Sequence, residues 1–307
     1  MEKPPPLLAI VGTTGSGKNE LAQEVARRTG ASLISVDSRK IYRGLNIGTA
    51  KPSPAIIREF DYGMIDCADP KEYFSAGRFA EMAREIVARR LESGRPVILV
   101  GGTGFYLEAF TNGLADLPEV SGETRARLVS EAAKRGWESL DAEARAIDPS
   151  FMESIHPGDK TRIRRVLESW WETGERLSEL HTKLTLSPCP WEVRVVWPEL
   201  ERAEVYHRIE KRVDKMRRAG LTEEVKGLLE SGIPGDAPGL ATVGYRELVS
   251  FFRGEVSEDR AYEAIARNTR RYAKRQITWF SHRSGACRIK AQGIAAEDVM
   301  GIWRSGE

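Results

Sequence analysis

The sequence predicts an α/β fold: a parallel sheet flanked by helices, with a helical subdomain inserted into it. Three observations carry that expectation. The apolar run Leu7-Leu8-Ala9-Ile10-Val11 breaks straight into Gly12-Thr13-Thr14-Gly15-Ser16-Gly17-Lys18-Asn19, as a buried strand does when it turns through glycines into a helix. Two more apolar runs, Leu33-Ile34-Ser35-Val36 and Val97-Ile98-Leu99-Val100, alternate with helical periodicity, the pattern of βαβ units. From Leu117-Pro118 onward apolar residues keep helical spacing, with no strand-like run before Trp191.

The first glycine loop follows G-x-x-x-x-G-K-[ST] except at its last position, where Asn19 replaces the hydroxyl residue expected on Mg²⁺. Gly12, Gly15 and Gly17 permit a tight turn that presents backbone N–H groups to an anion. The helix opening near Lys18 adds its positive end, and the Lys18 ammonium can lie over outer phosphates. With Leu21, Ala22, Val25 and Ala26 forming an apolar stripe behind it, the stretch reads as a polyphosphate cradle and the sheet as P-loop NTPase-like.

A chain of 307 residues with 41% hydrophobic and 30% charged residues can bury a sizeable core. Its formal charge of +2 leaves any attraction for nucleic acid to local clustering. Cys67, Cys189 and Cys287 form no C-x-x-C pair, and the four histidines are scattered. These features argue against a disulfide framework or a zinc site and for a reducing cytoplasm. The start Met1-Glu2-Lys3-Pro4-Pro5-Pro6 does not read as a signal peptide, and no apolar run approaches a membrane span.

Taken in order, Gly30 closes the first helix and the second strand ends on Asp37-Ser38. In an open parallel sheet ligands bind beyond the carboxyl ends of the strands, so Asp37 should face the same cleft as Lys18; the alternative is a simple turn cap. Residues 39–52, with Arg39, Lys40, Arg43 and Lys51, read as a loop over the cleft whose cations either bind phosphate or are solvated. Ser75 is placed to cap a helix carrying Phe79, Met82, Ile86 and Leu91, closed by Gly94. The third strand then breaks into Gly101-Gly102-Thr103-Gly104, a second wall of the same site.

Helices are expected over residues 123–135 and 137–147, and again from Thr161. The latter carries Thr161, Arg162, Arg164 and Arg165 in its first turns, positive charge that opposes the helix dipole and suggests an anionic partner. Trp191 to Trp197 should rejoin the sheet, followed by a helix with Val205, Ile209, Val213 and Met216 inside and Arg208, Arg212 and Lys215 on another face. A short helix should cover residues 223–229, and Gly244-Tyr245-Arg246 should open another. The most basic helix, residues 261–280, carries Arg267, Arg270, Arg271, Lys274 and Arg275, with Tyr272, Trp279 and Phe280 nearby. Like charges on one face repel, so a polyanion is the natural partner, against a solvated basic face.

Several blocks together resemble the tRNA dimethylallyltransferase family, also called tRNA isopentenyltransferases. They are Gly12 to Lys18, Asp37-Ser38 with Ile41-Tyr42-Arg43-Gly44, Ile47-Gly48-Thr49-Ala50-Lys51-Pro52, Gly101-Gly102-Thr103-Gly104, Val243-Gly244-Tyr245-Arg246, and Asn268 to Trp279. The resemblance implies transfer of a dimethylallyl group from dimethylallyl diphosphate to N6 of the adenosine 3′ of the anticodon, tRNA position 37, in tRNAs reading codons that start with U. It implies Mg²⁺ as cofactor and the tRNA anticodon stem-loop as partner, with a monomer as the default state. By it, residues Gly12, Thr13, Thr14, Gly15, Ser16, Gly17, Lys18 and Asn19 hold the leaving diphosphate, and Arg212 reaches it from its helix. Asp37 takes a proton or hydrogen bond from the attacking amine, Thr103 helps hold the flipped base, and Asn19 and Asp37 are the metal candidates.

RNA contacts are expected at Ser38, Arg39, Lys40, Arg125, Thr161, Arg162, Arg164, Arg165, Gly244, Tyr245, Arg246, Arg267, Arg270, Arg271, Lys274 and Arg275. The expected division is residues 1–118 as the first part of the core, 119–157 as a helical insertion on the tRNA, and 158–307 as core completion with the basic helices. The chain departs from the family pattern at Asn19 and at Arg39-Lys40, where Met-Gln is usual. Two other readings compete: an isopentenyltransferase of free adenine nucleotides, for which the basic helices would be superfluous, and an RNA-binding P-loop NTPase. The second needs a carboxylate after a strand, yet Val100 is followed by Gly101-Gly102.

Overall fold

The computed structural model describes residues 6–114, 120–183, 187–282 and 285–305. Along the chain come β1 (Leu7–Val11), α1 (Lys18–Thr29), β2 (Ser32–Val36), α2 (Pro54–Glu59), α3 (Ala76–Glu92), β3 (Val97–Gly101) and α4 (Gly104–Asn112). Then follow α5 (Gly122–Ile147), α6 (Pro149–Met152), α7 (Lys160–Thr173) and α8 (Leu177–Lys183). The last part holds β4 (Val193–Glu199), α9 (Arg202–Arg218), α10 (Leu221–Glu230), α11 (Tyr245–Phe252), α12 (Glu258–Ser281), β5 (Ala286–Lys290) and α13 (Ala296–Ser305).

Two compact units result. The first comprises the chain up to Thr111 and from Cys189 onward; the second is Asn112–Pro188. In the first, five parallel strands lie in the order β2-β3-β1-β4-β5. Ala9 at the centre sits opposite Leu99 on one side and Val195 on the other. Every residue of β1, β2 and β3 is buried, which explains why they are mainly apolar: each such Leu, Ile or Val contributes roughly 1.5–3 kcal/mol on leaving water. The core on one face joins Leu8, Ile10, Leu33 and Ile98 to Val25 of α1 and Val299 of α13.

The second unit is helical. Its core, Leu128, Leu140, Met152, Ile163, Val166, Leu167 and Leu177, comes from α5 to α8. Gly136, with φ 76° and ψ 162°, kinks α5 at the break expected between residues 135 and 137. The expected end of this insertion at residue 157 is too early. Ile163, Val166 and Leu167 face α5 rather than the sheet, so residues 158–188 belong to the helical unit. The expected boundary at 118/119 and the start Met1 to Pro5 lie outside the described residues. Elements not expected from the sequence are α2, α4, α6, α8, α13 and β5, the last an exposed strand at the sheet edge. Among the described residues no helix is long and apolar enough to cross a membrane.

Candidate active site

The carboxyl ends of β1, β2 and β3 are stitched together by the turns that leave them. Gly12 N donates to Gly101 O (3.2 Å) and Thr103 N to Val36 O (3.2 Å). Ser38 N donates to Thr103 Oγ1 at 3.1 Å. This fixes Asp37, Thr103 and the glycine loop on one rim, as the sequence leads one to expect. Gly101 has no room for a side chain: a Cβ there would meet Val36 O at 2.0 Å. The carboxylate of an NTPase cannot stand at this position.

The loop is shaped for an anion. Gly12, Gly15 and Gly17 have φ of 151°, 82° and 81°, conformations that side chains resist. Gly17 begins α1 without a side-chain cap, so the first N–H groups of the helix have no internal partner. Ser16 Oγ is buried without a hydrogen-bond partner, an orphan that an incoming oxyanion would satisfy. Lys18 Nζ donates to Thr13 O at 2.9 Å. Burial first, and the positive charge of Lys40 second, depress the Lys18 ammonium to about 7.

Three basic side chains share the field of Asp37 and, more weakly, of Glu20. Asp37 Oδ1 accepts from the N–H groups of Arg39 (2.9 Å) and Lys40 (3.4 Å). Lys18, Lys40 and Arg212 are each depressed by burial and each supported by Asp37. Arg212, on the inward side of α9, donates weakly to Thr49 O at 3.5 Å. Lys40 is a correction to the expected RNA contacts: only 5% of it is exposed, and it belongs to this charge cluster. Of the other loop cations, Lys51 braces Tyr42 O and Asp66, and Arg43 pairs with Asp69, so they are structural.

For Mg²⁺ the donor set is sparse but of the right kind. Asp37 offers a carboxylate and the partly exposed Asn19 an amide oxygen, and among the described residues there is no cluster of three or more acidic, histidine or cysteine ligands. Such a set suits a hard cation held mainly by substrate phosphates and water.

Helix α12 serves two sides. Its outward face exposes Arg267, Arg271, Lys274 and Arg275, and Arg271, Lys274, Arg275, Thr278 and Trp279 line an open groove. Arg270 leans to Glu210 at 3.4 Å. Its inward face carries Gln276, whose Oε1 accepts from Thr14 N (3.0 Å) and whose Nε2 donates to Gly102 O (2.8 Å). Burial, and then the charge of Asp37, push the Tyr272 hydroxyl up. Trp279 sits on Gly104, where a Cβ would meet its Nε1 at 2.0 Å. Gln276 was missed from the sequence, although a polar residue between Ala273 and Phe280 on a buried stripe was a usable signal.

Gly244 and Tyr245, expected on RNA, are also corrected. Tyr245 is fully buried; its hydroxyl donates to Glu224 Oε1 (2.6 Å) and accepts from Gly48 N (3.1 Å). Gly244 starts α11 through a 2.7 Å bond to Glu247, and Arg246 pairs with Glu247. These residues hold the loop at Gly48 in place. In the second unit, Thr161, Arg162, Arg164 and Arg165 occupy the first turns of α7 and Arg125 the first turn of α5. Asp159 caps α7 and pairs with Arg162, and Arg164 approaches Glu168, so part of this positive charge is already answered within the unit.

The sequence profile of the family described as "IPP transferase" matches residues 40–283. A tRNA dimethylallyltransferase of Geobacter metallireducens is 40% identical over 97% of this chain and 97% of its own. The crystal structure of the full-length tRNA isopentenylpyrophosphate transferase from Bacillus halodurans is 32% identical, with a TM-score of 0.70 over 97% of this chain and 94% of its own. A eukaryotic dimethylallyltransferase acting on tRNA shares the fold at a TM-score of 0.80 and 21% identity, covering 97% of this chain and 78% of its own.

Proposed function

The chain belongs to the IPP transferase family and is a prenyltransferase of tRNA, and we propose that it moves a dimethylallyl group from dimethylallyl diphosphate to N6 of the adenosine 3′ of the anticodon. The observation that carries this reading is the convergence of Lys18, Lys40 and Arg212 on Asp37 at the strand ends, beside Thr103 and under the basic helix. An adenine amine is a weak nucleophile because its lone pair is shared with the ring. The allylic C–O bond must therefore break easily, and it does so when the departing diphosphate is neutralised.

Lys18, the loop N–H groups and Arg212 supply that neutralisation. As N6 bonds to the allylic carbon, the C–O electron pair leaves with the diphosphate and the N6 proton passes towards Asp37. The main-chain bonds from Arg39 and Lys40 hold this carboxylate in place, and Thr103 positions the turn that carries it. Asn19 and Asp37 would hold Mg²⁺, which when bound adds charge stabilisation to the diphosphate. The groove of Arg271, Lys274 and Arg275 suits the phosphates of an anticodon stem-loop. The unpaired Cys67, Cys189 and Cys287 fit a reducing cytoplasm.

The test is direct. Purified protein with dimethylallyl diphosphate, Mg²⁺ and an unmodified anticodon stem-loop should yield prenylated adenosine. Equal turnover of free AMP would favour a nucleotide prenyltransferase, and ATP hydrolysis without prenyl transfer would defeat the reading.

A further inference from the structure

Lys40 stands in an unusual position for a lysine. It is 95% buried, as its 5% exposure shows, and among the described residues its ammonium has neither a hydrogen-bond nor an ion-pair partner. Only its main chain is engaged, through the N–H bond to Asp37 and through its carbonyl, which accepts from Asp66 N. Lys18 and Arg212 stand in the same field, and neither is in an ion pair. The cluster therefore sets three basic side chains against the carboxylate of Asp37 and, more weakly, that of the exposed Glu20, so that basic groups outnumber carboxylates at this rim. A largely buried lysine without an ion-pair partner is held at a cost, so an arrangement of this kind persists where a ligand supplies the missing charge.

Two features of the same rim bear on what that ligand meets. Asn19, the last residue of the loop, has an amide where a hydroxyl would bind a metal directly. Lys40, whose main-chain N–H reaches Asp37 Oδ1, puts a basic side chain in the field of that carboxylate. A cation there competes with a metal for Asp37 while itself attracting phosphate.

We propose that Lys40 is a diphosphate-binding residue, and that it takes over part of the charge neutralisation that a tightly held Mg²⁺ would otherwise provide. This rests on the proposed function, since it assigns a residue of the same site. Lys40 meets the leaving group, not the RNA. The protein accordingly holds diphosphate with little help from metal, and the dependence on metal returns when the ammonium is removed.

Calorimetric titration of the full chain with inorganic pyrophosphate, in EDTA and in Mg²⁺, tests this. Wild-type protein should bind in both. Lys40→Gln should lose at least tenfold in affinity in EDTA, recover most of it in Mg²⁺, and bind the anticodon stem-loop as wild type does; Lys40→Arg should keep most of the metal-free affinity. The ligand-free Lys40→Gln protein should melt no lower than wild type, because an unpartnered buried charge has been removed; a lysine with a merely structural role would lower the melting temperature. Equal binding of pyrophosphate by wild type and Lys40→Gln in EDTA overturns the proposal alone. Wild-type protein that ignores pyrophosphate in both conditions overturns it together with the proposed function.

Discussion

Asp37 is held by two main-chain N–H bonds, which leave its other oxygen for the substrate. Asp37→Ala should lower kcat by about 10²–10⁴, the range of a general base, and leave the dissociation constant of the stem-loop unchanged in a filter-binding assay. Lys18 gives a pH signature. In the ligand-free fold its ammonium loses its proton at about 7 instead of the ordinary 10.5. Between those values the unfolded chain binds a proton that the folded one does not, so this residue's contribution to stability rises with pH across that window. A bound diphosphate reverses the shift. Binding at pH 8 should therefore take up protons, seen as a difference in calorimetric heat between buffers of different ionisation enthalpy. Lys40 shows why single residues mislead: lysine is a surface residue by composition, and nothing in the string Arg39-Lys40 says that one of the two turns inward.

Among the elements, those buried on every side were the legible ones. The strands at residues 7–11, 33–36 and 97–100 are mainly apolar because all of their residues are buried. β5, by contrast, reads Ala-Cys-Arg-Ile-Lys and lies exposed at the edge, so its composition resembles a loop. α4 was hidden because it begins inside a glycine turn, where helix and loop signals overlap. The insertion ran past its expected end because α7 joins core and surface signals: its arginines suggest a binding helix, while Ile163, Val166 and Leu167 pack within the unit. For α12, the outward basic face was read correctly as a pattern, and the inward face was not, since Gln276 acts through backbone groups far away in sequence. Gln276→Leu would orphan Thr14 N and Gly102 O, each at a cost of about 1–3 kcal/mol. The expected result is a lower melting temperature and a raised KM for dimethylallyl diphosphate, with stem-loop affinity changed much less.

The net charge of the whole molecule, +2, hides an uneven distribution. The exposed cations of α12 gather along one groove, and attraction to a phosphate backbone there should fade with salt. Replacing Arg271, Lys274 or Arg275 by Ala should each reduce the slope of log K against log salt by about one, in proportion to the counterions released. A slope that does not change would place the RNA elsewhere. Gln276 has one more consequence at this scale. A single amide is bonded to both the diphosphate loop and the turn after β3, and it is carried on the helix whose other face presents the basic groove. Any change in how strongly stem-loop binding favours that amide's position must alter the affinity for diphosphate, and thermodynamic reciprocity then requires diphosphate to alter the affinity for the stem-loop by the same factor. A double-mutant cycle that pairs Gln276→Leu with a substitution in the basic groove measures that coupling, and a coupling energy of zero would show the two sites to be independent.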